Sequence, residues 1–282
     1  MSVTASTDCA STPLRQPVLF IAHGGGPQFG PPPHGAEHQL FLSQLSKLCP
    51  EKPRAILVVS AHWLEAVATL QTGATPPLYY DYGGFPARTY QVGFHYPNGH
   101  PPPGFGDALQ DRIKAAFAAA GVPLRTDATR GFDHGVFVPL SQDRAFDDIP
   151  TAQLSLLSSL DPAAHLRLGE VLQSLRDEGV LIIGSGSSTH NRPAHVAAGA
   201  FVGQEFNAWL DSAVREADYE KRKRNLEEWS SAPGAHDAHP FPGGEEHLIP
   251  LHVAVGAAGK TESVEVWKHT PMNWVVLTFK FD

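Results

Sequence analysis

The sequence predicts a single α/β domain on a central mixed, largely parallel sheet flanked by helices, with its active site at the C-terminal ends of the strands. Three observations carry that expectation. Residues 17–22, 55–60 and 180–183 are short runs dominated by Val, Leu, Ile, Phe and Ala, the pattern of strands buried on both faces. Segments with helical spacing of apolar residues follow the first and precede the third, as in βαβ units. Each run leads into a loop holding glycine and histidine, and in open α/β sheets ligands bind in the crevice outside the strand carboxyl ends.

Residues 1–16 are polar and rich in Ser and Thr and are expected to form a flexible N-terminal tail, leaving 17–282 as the catalytic domain. Residues 17–22 read Pro-Val-Leu-Phe-Ile-Ala, too short for a helix, and run into His23-Gly24-Gly25-Gly26-Pro27. Leu40, Phe41, Leu45 and Leu48 recur at helical spacing over 37–48, and 55–60 forms the next strand before Ala61-His62-Trp63. Residues 75–103 are rich in Gly, Pro and Tyr around Tyr79-Tyr80-Asp81-Tyr82-Gly83-Gly84-Phe85-Pro86, which marks a binding loop rather than a linker. An amphipathic helix is predicted over 106–120, then a turn at Gly131-Phe132-Asp133-His134-Gly135 and a short apolar segment to Leu140. Residues 149–157 form a strand, and 163–177 a helix with Leu166, Leu168, Val171, Leu172 and Leu175 inward. The strand at 180–183 ends on Gly184-Ser185-Gly186 and then Thr189-His190-Asn191. Helices are predicted at 201–217 and 247–257, and the alternating run 274–281 reads as an edge or mixed-sheet strand.

With 42% hydrophobic and 18% charged residues the chain has ample material for a core. Its longest apolar runs are strand-sized, well short of the roughly 20 residues a membrane span needs. The N-terminus has no basic patch followed by an apolar segment, so a cytoplasmic location is expected. Net charge is −8, and the basic run 221–224 sits among Asp218, Glu220, Glu227 and Glu228. Nucleic acid is therefore not an expected partner, and that run is read as a solvated helix face. Only Cys9 and Cys49 are present, so a metal would be held by nitrogen and oxygen. Histidine is the outlier at 15 residues.

His23, His62 and His190 each follow a buried strand and can converge on one site although distant in sequence. Gly243-Gly244-Glu245-Glu246-His247, at a predicted helix start, offers a carboxylate and a further imidazole. No His-Glu-x-x-His pair occurs, which disfavours a zinc protease. His23-Gly24-Gly25-Gly26 resembles an esterase oxyanion loop, but no serine has glycine at both −2 and +2, so that hydrolase lacks its nucleophile elbow. Gly184-Ser185-Gly186-Ser187-Ser188 is a weak phosphate-cradle signal without the lysine of a P-loop.

Taken in order, the histidine after the first strand, Val59-Ser60-Ala61-His62-Trp63, Asp81 to Pro86, Phe132-Asp133-His134-Gly135, Gln153-Leu154-Ser155, Ser185-Gly186 with Thr189-His190-Asn191, and Glu246-His247 with Pro250-Leu251 resemble the class III extradiol ring-cleavage dioxygenases. The DOPA 4,5-dioxygenase branch is the nearest in pattern, and the resemblance spans nearly all of 17–282. It implies a non-haem Fe(II) enzyme, with Zn(II) often bound in its place, that opens a catechol with O₂ to a semialdehyde. It also implies His23, His62 and His247 as metal ligands, His190 as the acid–base residue and His134 as a second histidine contacting substrate or oxygen. Two departures stand out. His-Gly-Gly-Gly-Pro replaces the commoner His-Gly-Ser/Thr-Pro, and residues 242–247 replace a shorter Thr-Pro-Glu/Asp-His, which leaves Glu246 as an alternative ligand.

That chemistry suits the residue types. Three protein ligands leave a redox metal open positions for both catechol oxygens and O₂. An imidazole with a reference pKa of about 6.5 can take and return a proton near neutral pH. Tyr82, with the rest of loop 79–85, and Trp63 are candidate ring walls, and Arg88 and Arg192 are candidate partners of a substrate tail carboxylate unless they are ordinary surface arginines. Two rival readings are a Memo-type binding protein of the same fold and a zinc-dependent hydrolase. A pure binder would need neither His134 nor His190.

Overall fold

The computed structural model describes residues 14–27, 34–91, 109–191, 201–261 and 263–282. Eight strands, β1 (Val18–Ala22), β2 (Ala55–Glu65), β3 (Thr69–Gln71), β4 (Arg125–Asp127), β5 (Thr151–Leu157), β6 (Val180–Gly186), β7 (Val264–His269) and β8 (Val276–Phe281), form one sheet in the order β4-β3-β5-β2-β6-β1-β8-β7. The central strands β5, β2, β6 and β1 are mutually parallel. Antiparallel partners flank them: β8 on β1, β7 on β8, and β3 on β5. The sheet is thus mixed with a parallel centre, as the sequence predicts.

Helices cover both faces: α1 (His34–Leu42), α2 (Leu109–Ala120), α3 (His134–Leu140), α4 (Pro162–Leu172), α5 (Gln204–Val214), α6 (Tyr219–Glu227), α7 (Ala235–Ala238) and α8 (Ile249–Ala258). Alternate residues of each central strand point to opposite layers. Val18, Phe20, Leu57, Val59 and Ile182 pack with α4 and α8, whereas Leu19, Ile21, Ile56, Val58 and Ile183 pack with Val136, Phe137 and Leu140 of α3 and with Leu42 and Leu45. Two buried layers explain why these strands read as unbroken apolar runs. Helices α4 and α8 meet at glycines: a Cβ on Gly169 would lie 2.1 Å from the Val253 carbonyl oxygen, and one on Gly256 2.0 Å from that of Leu166.

Several sequence expectations are corrected. The predicted 37–48 helix ends at Leu42 and resumes as a short 3-10 turn at Leu45–Leu48, with Leu40 turned outward at 61% exposure. The short apolar segment to Leu140, for which the sequence predicts no element, is a helix; it is buried all round, so no amphipathic period marks it. Trp274 precedes the last strand instead of starting it, and of the two alternatives read for that strand the mixed-sheet one holds: β8 lies antiparallel between β1 and β7, which takes the edge. The run 221–224 is not simply solvated: Arg222 is buried, donating to the Glu216 and Thr261 carbonyls, and Lys223 pairs with Glu170. Of the predicted tail, residues 1–13 lie outside the described residues and 14–16 are held, since the Leu14 amide donates to Glu51, the amide of buried Gln16 donates to the Arg176 carbonyl, and Arg176 Nε donates to the Gln16 carbonyl. No helix among the described residues is long and apolar enough to cross a membrane.

Two core histidines outside the histidine-lined cavity described below, His165 and His252, give the fold a pH dependence. His165 Nδ1 donates to the Asp161 carbonyl (2.7 Å) while its Nε2 accepts the Leu157 amide (2.9 Å), and His252 Nε2 donates to the Leu226 carbonyl (3.0 Å). Burial pushes both imidazoles down to about 4 from 6.5. The unfolded chain then binds protons that the folded chain refuses, so this stability is complete above pH 6.5 and is lost as pH falls toward 4. The expected loss is on the order of 3 kcal/mol per histidine. Thermal melts between pH 7.5 and 4.5 check it: His165→Gln should show a shallower decline than wild type, and equal slopes would remove His165 as a cause.

Candidate active site

The ends of β1, β2 and β6, the N-terminus of α3 and the lead into α8 bring four histidines, His62, His134, His190 and His247, to the wall of one cavity of about 440 Å³, with the His23 ring packed against three of them. His23 follows β1 directly, and its amide bonds the Gly186 carbonyl, continuing the β1–β6 pairing. Gly24 and Gly26 then reverse the chain at φ of 89° and 75°, values that favour glycine. His62 lies where the β2–β5 register shifts between Val59 and Leu64, and its carbonyl accepts Arg130 Nη2 at 3.1 Å. An irregularity at a strand end re-aims a side chain. Asp133 caps α3 through the Gly135 amide and holds Ser60 Oγ at 2.7 Å, so His134 enters as the first residue of a fixed helix.

Gly184 and Gly186 act by close approach, not as a phosphate cradle. A Cβ on Gly186 would fall 2.1 Å from the His247 carbonyl oxygen, and one on Gly184 2.4 Å from that of Pro250. The end of β6 therefore presses against the chain at 247–250, and the Ser187 amide donates to the His247 carbonyl at 2.8 Å. One glycine-rich turn thus places His247 and, four residues beyond β6, His190, whose amide bonds the Ala238 carbonyl.

Within the cavity the Nε2 atoms of His23, His62 and His247 converge: His62 Nε2 is 3.1 Å from that of His23 and 3.2 Å from that of His247. Their Nδ1 atoms face outward to acceptors. Ser185 Oγ gives its proton to the Gly135 carbonyl (2.5 Å) and so accepts from His23 Nδ1 (3.0 Å). Glu246 Oε1 accepts from His247 Nδ1 (2.8 Å), and Asp81 Oδ2 lies 3.3 Å from His62 Nδ1. With each proton on Nδ1, the three Nε2 lone pairs point at one another. Asp81 Oδ1 also accepts from His134 Nδ1 (2.8 Å) and from the His134 amide (3.0 Å). The His190 ring stacks on His247 at 3.5 Å and 13°, with Nδ1 3.7 Å from Glu246 Oε1. Two groups have ligand atoms within 4.8 Å of one another, His23-His62-His134 and His190-Glu246-His247.

The electrostatics suit neutral imidazoles. Burial, followed by repulsion from neighbouring histidines, holds His23 and His247 well below 6.5. Burial and His134 bring His62 to about 3 against the opposing pull of Asp81. For Asp81 burial opposes ionisation, but the hydrogen bond from His134 and the nearby imidazoles overrule it and hold the carboxyl below its ordinary range.

Not every predicted residue reaches the cavity. Tyr82 lines it, its ring 5.8 Å from His134 and its hydroxyl turned to the Thr89 carbonyl. Trp63 does not: it is buried behind the site, bonded through Nε1 to Glu65, with Arg130 between it and Tyr79. Alternation along β2 turns Trp63 away from the side that His62 faces. Phe85 of the predicted loop joins Tyr82 in the aromatic wall, and Trp274 stands there instead of Trp63. Arg88 is exposed on a 3-10 turn at Ala87–Tyr90 and is not among the lining residues, and Arg192 lies outside the described residues. Glu246 stands behind His247 as its acceptor. Sequence reasoning missed Asp81 and Trp274 as site residues. An acid inside an aromatic loop was the available signal for Asp81; Trp274, before the last strand, carried none.

The family described as the catalytic LigB subunit of aromatic ring-opening dioxygenase matches residues 18–278. The chain is 39% identical over 253 residues to a 4,5-DOPA dioxygenase extradiol of Beta vulgaris, covering 88% of this chain and 89% of the relative. It is 38% identical over 267 residues to a dioxygenase of Hapsidospora irregularis, covering 88% and 80%. Among solved structures, an uncharacterized Escherichia coli K12 protein superposes with a TM-score of 0.72 at 25% identity, over 95% of this chain and 100% of that one. On this match, and with histidines gathered at the strand ends of a mixed sheet, the chain belongs to the LigB family and is a class III extradiol ring-cleavage dioxygenase of the DOPA-like branch.

Proposed function

We propose that the enzyme opens the ring of a catechol with a short polar tail, DOPA or a close analogue, outside the diol, using O₂ and one Fe(II) held by His23, His62 and His247. The observation that carries the metal site is the approach of His62 Nε2 to the Nε2 atoms of His23 and His247, at 3.1 and 3.2 Å. Nitrogens each about 2.1 Å from one metal ion stand roughly 3.0–3.4 Å apart. Facing lone pairs repel, and a cation at their centre turns that repulsion into attraction. Zn(II) fits the same donors without supporting redox chemistry.

When bound, the iron supplies the one-electron chemistry that lets a catechol meet ground-state O₂, with open positions for both. The chain's own residues do the rest. His190, lying flat on His247, takes the proton of a catechol hydroxyl and returns it later. His134, its Nδ1 proton committed to Asp81, meets the substrate through Nε2 as a hydrogen-bond acceptor. Tyr82, Phe85 and Trp274 flank the aromatic ring and limit water beside it. Both atoms of O₂ finish in the ring-opened semialdehyde.

The test is an aerobic assay of iron-loaded protein against catechol, dopamine, DOPA and 3,4-dihydroxyphenylacetate, following O₂ uptake and a yellow product. Uptake with at least one catechol, abolished by chelation, is expected; none with any would overturn the reading. The same assay weighs Arg88. Because Arg88 is exposed away from the lining residues, Arg88→Ala should leave the KM for DOPA unchanged. A rise of about tenfold, roughly 1.4 kcal/mol, would return it to the site.

A further inference from the structure

We infer that Asp81 is a positioning residue that sets the tautomers of two histidines at once, presenting the Nε2 lone pairs of both His62 and His134 to the cavity. The inference rests on the metal site proposed above but concerns a residue outside its ligand set. A single carboxylate spans the two rings: Oδ1 takes the His134 Nδ1 proton at 2.8 Å and the His134 amide at 3.0 Å, while Oδ2, buried and without a hydrogen-bond partner among the described residues, faces His62 Nδ1 at 3.3 Å, close enough to favour the proton there without forming a hydrogen bond. The rings it governs lie 3.9 Å apart, centroid to centroid, and Asp81 itself lines the cavity.

A carboxylate only accepts hydrogen bonds, so a neutral imidazole pointing Nδ1 at it must carry its proton there. His23 and His247 obtain the same tautomer from separate partners, Ser185 and Glu246. Asp81 serves a ligand and a substrate-facing histidine together, as Glu246 does on the other side of the cavity for His247 at 2.8 Å and His190 at 3.7 Å. It also belongs to the aromatic loop, one residue before Tyr82, so that wall is tied to His62 and His134. Asparagine in its place would keep the shape and offer one acceptor and one donor. The ring meeting the amide nitrogen would then have to move its proton to Nε2 and lose its lone pair on the cavity side.

Two measurements decide. Nitrogen-15 spectra of histidine-labelled wild-type protein loaded with Zn(II) are expected to show Nδ1–H on both His62 and His134; Nε2–H on either would overturn the inference without any variant. Cobalt(II) titration of metal-free Asp81→Asn, followed by its visible bands, is expected to show affinity roughly 10- to 100-fold below wild type. With metal saturating, its kcat should also fall, because His134 is affected as well as His62, while its melting temperature stays near wild type. Asp81→Glu, which restores a carboxylate, should recover part of both losses. If Asp81→Asn binds cobalt as wild type does, Asp81 is not a positioning residue. If wild type itself binds none, the metal site fails instead, and the two failures are distinct.

Discussion

His62→Ala should leave a folded protein that neither retains a stoichiometric metal ion nor turns over a catechol. His62 is the central member of the donor set, since its Nε2 is the atom within 3.2 Å of both other nitrogens. Losing one of three ligands removes a large part of the binding free energy, and the remaining pair cannot hold Fe(II) against exchange with buffer. The ring is only partly buried, so its removal costs the fold less than loss of a core residue would. Metal analysis after gel filtration, beside circular dichroism, reads both effects. His247→Ala is the informative companion. If it keeps its metal while His134→Ala loses it, the ligands are His23, His62 and His134, whose donor atoms also lie within 4.8 Å of one another. If Glu246→Ala is the variant that loses it, the third ligand is the carboxylate.

His190→Ala is expected to retain metal and lose roughly 10²–10⁴-fold in turnover, the usual contribution of a positioned proton acceptor. His190 lies flat against His247, 3.5 Å between centroids. A ring parallel to a ligand ring can face the open side of the metal without joining its donor set. The loss should fall on kcat, with KM little changed, because the substrate's grip on the metal and on the aromatic wall survives. Metal loss in this variant would instead make His190 a ligand and leave the proton acceptor to be found among the remaining histidines.

How much of this was legible in the sequence differs by element. Strands β1, β2 and β6 were visible because burial on both faces forces unbroken apolar runs, and helix α4 because it is buried on one side only. Helix α3 was hidden for the opposite reason, being apolar throughout, and β7 because its residues are only partly buried and its alternation is weak. The histidines at the ends of the predicted strands, and the family they belong to, could be read from order and residue type. The sequence did not say which tryptophan borders the cavity, or that the Gly184-Ser185-Gly186 turn serves to seat His247.

By itself the sequence determined the α/β class, the parallel centre of the sheet, the family and the histidines that stand at the ends of its strands, because apolar period and motif order are local properties written residue by residue. Only the tertiary structure decided which nitrogens converge, that Asp81 bridges His62 and His134, that Trp274 rather than Trp63 borders the cavity, and that Arg222 is buried. Those outcomes join residues up to 185 positions apart. Strand register, close approach at glycine and the competition of polar groups for partners settle them, and no local window of sequence contains those forces.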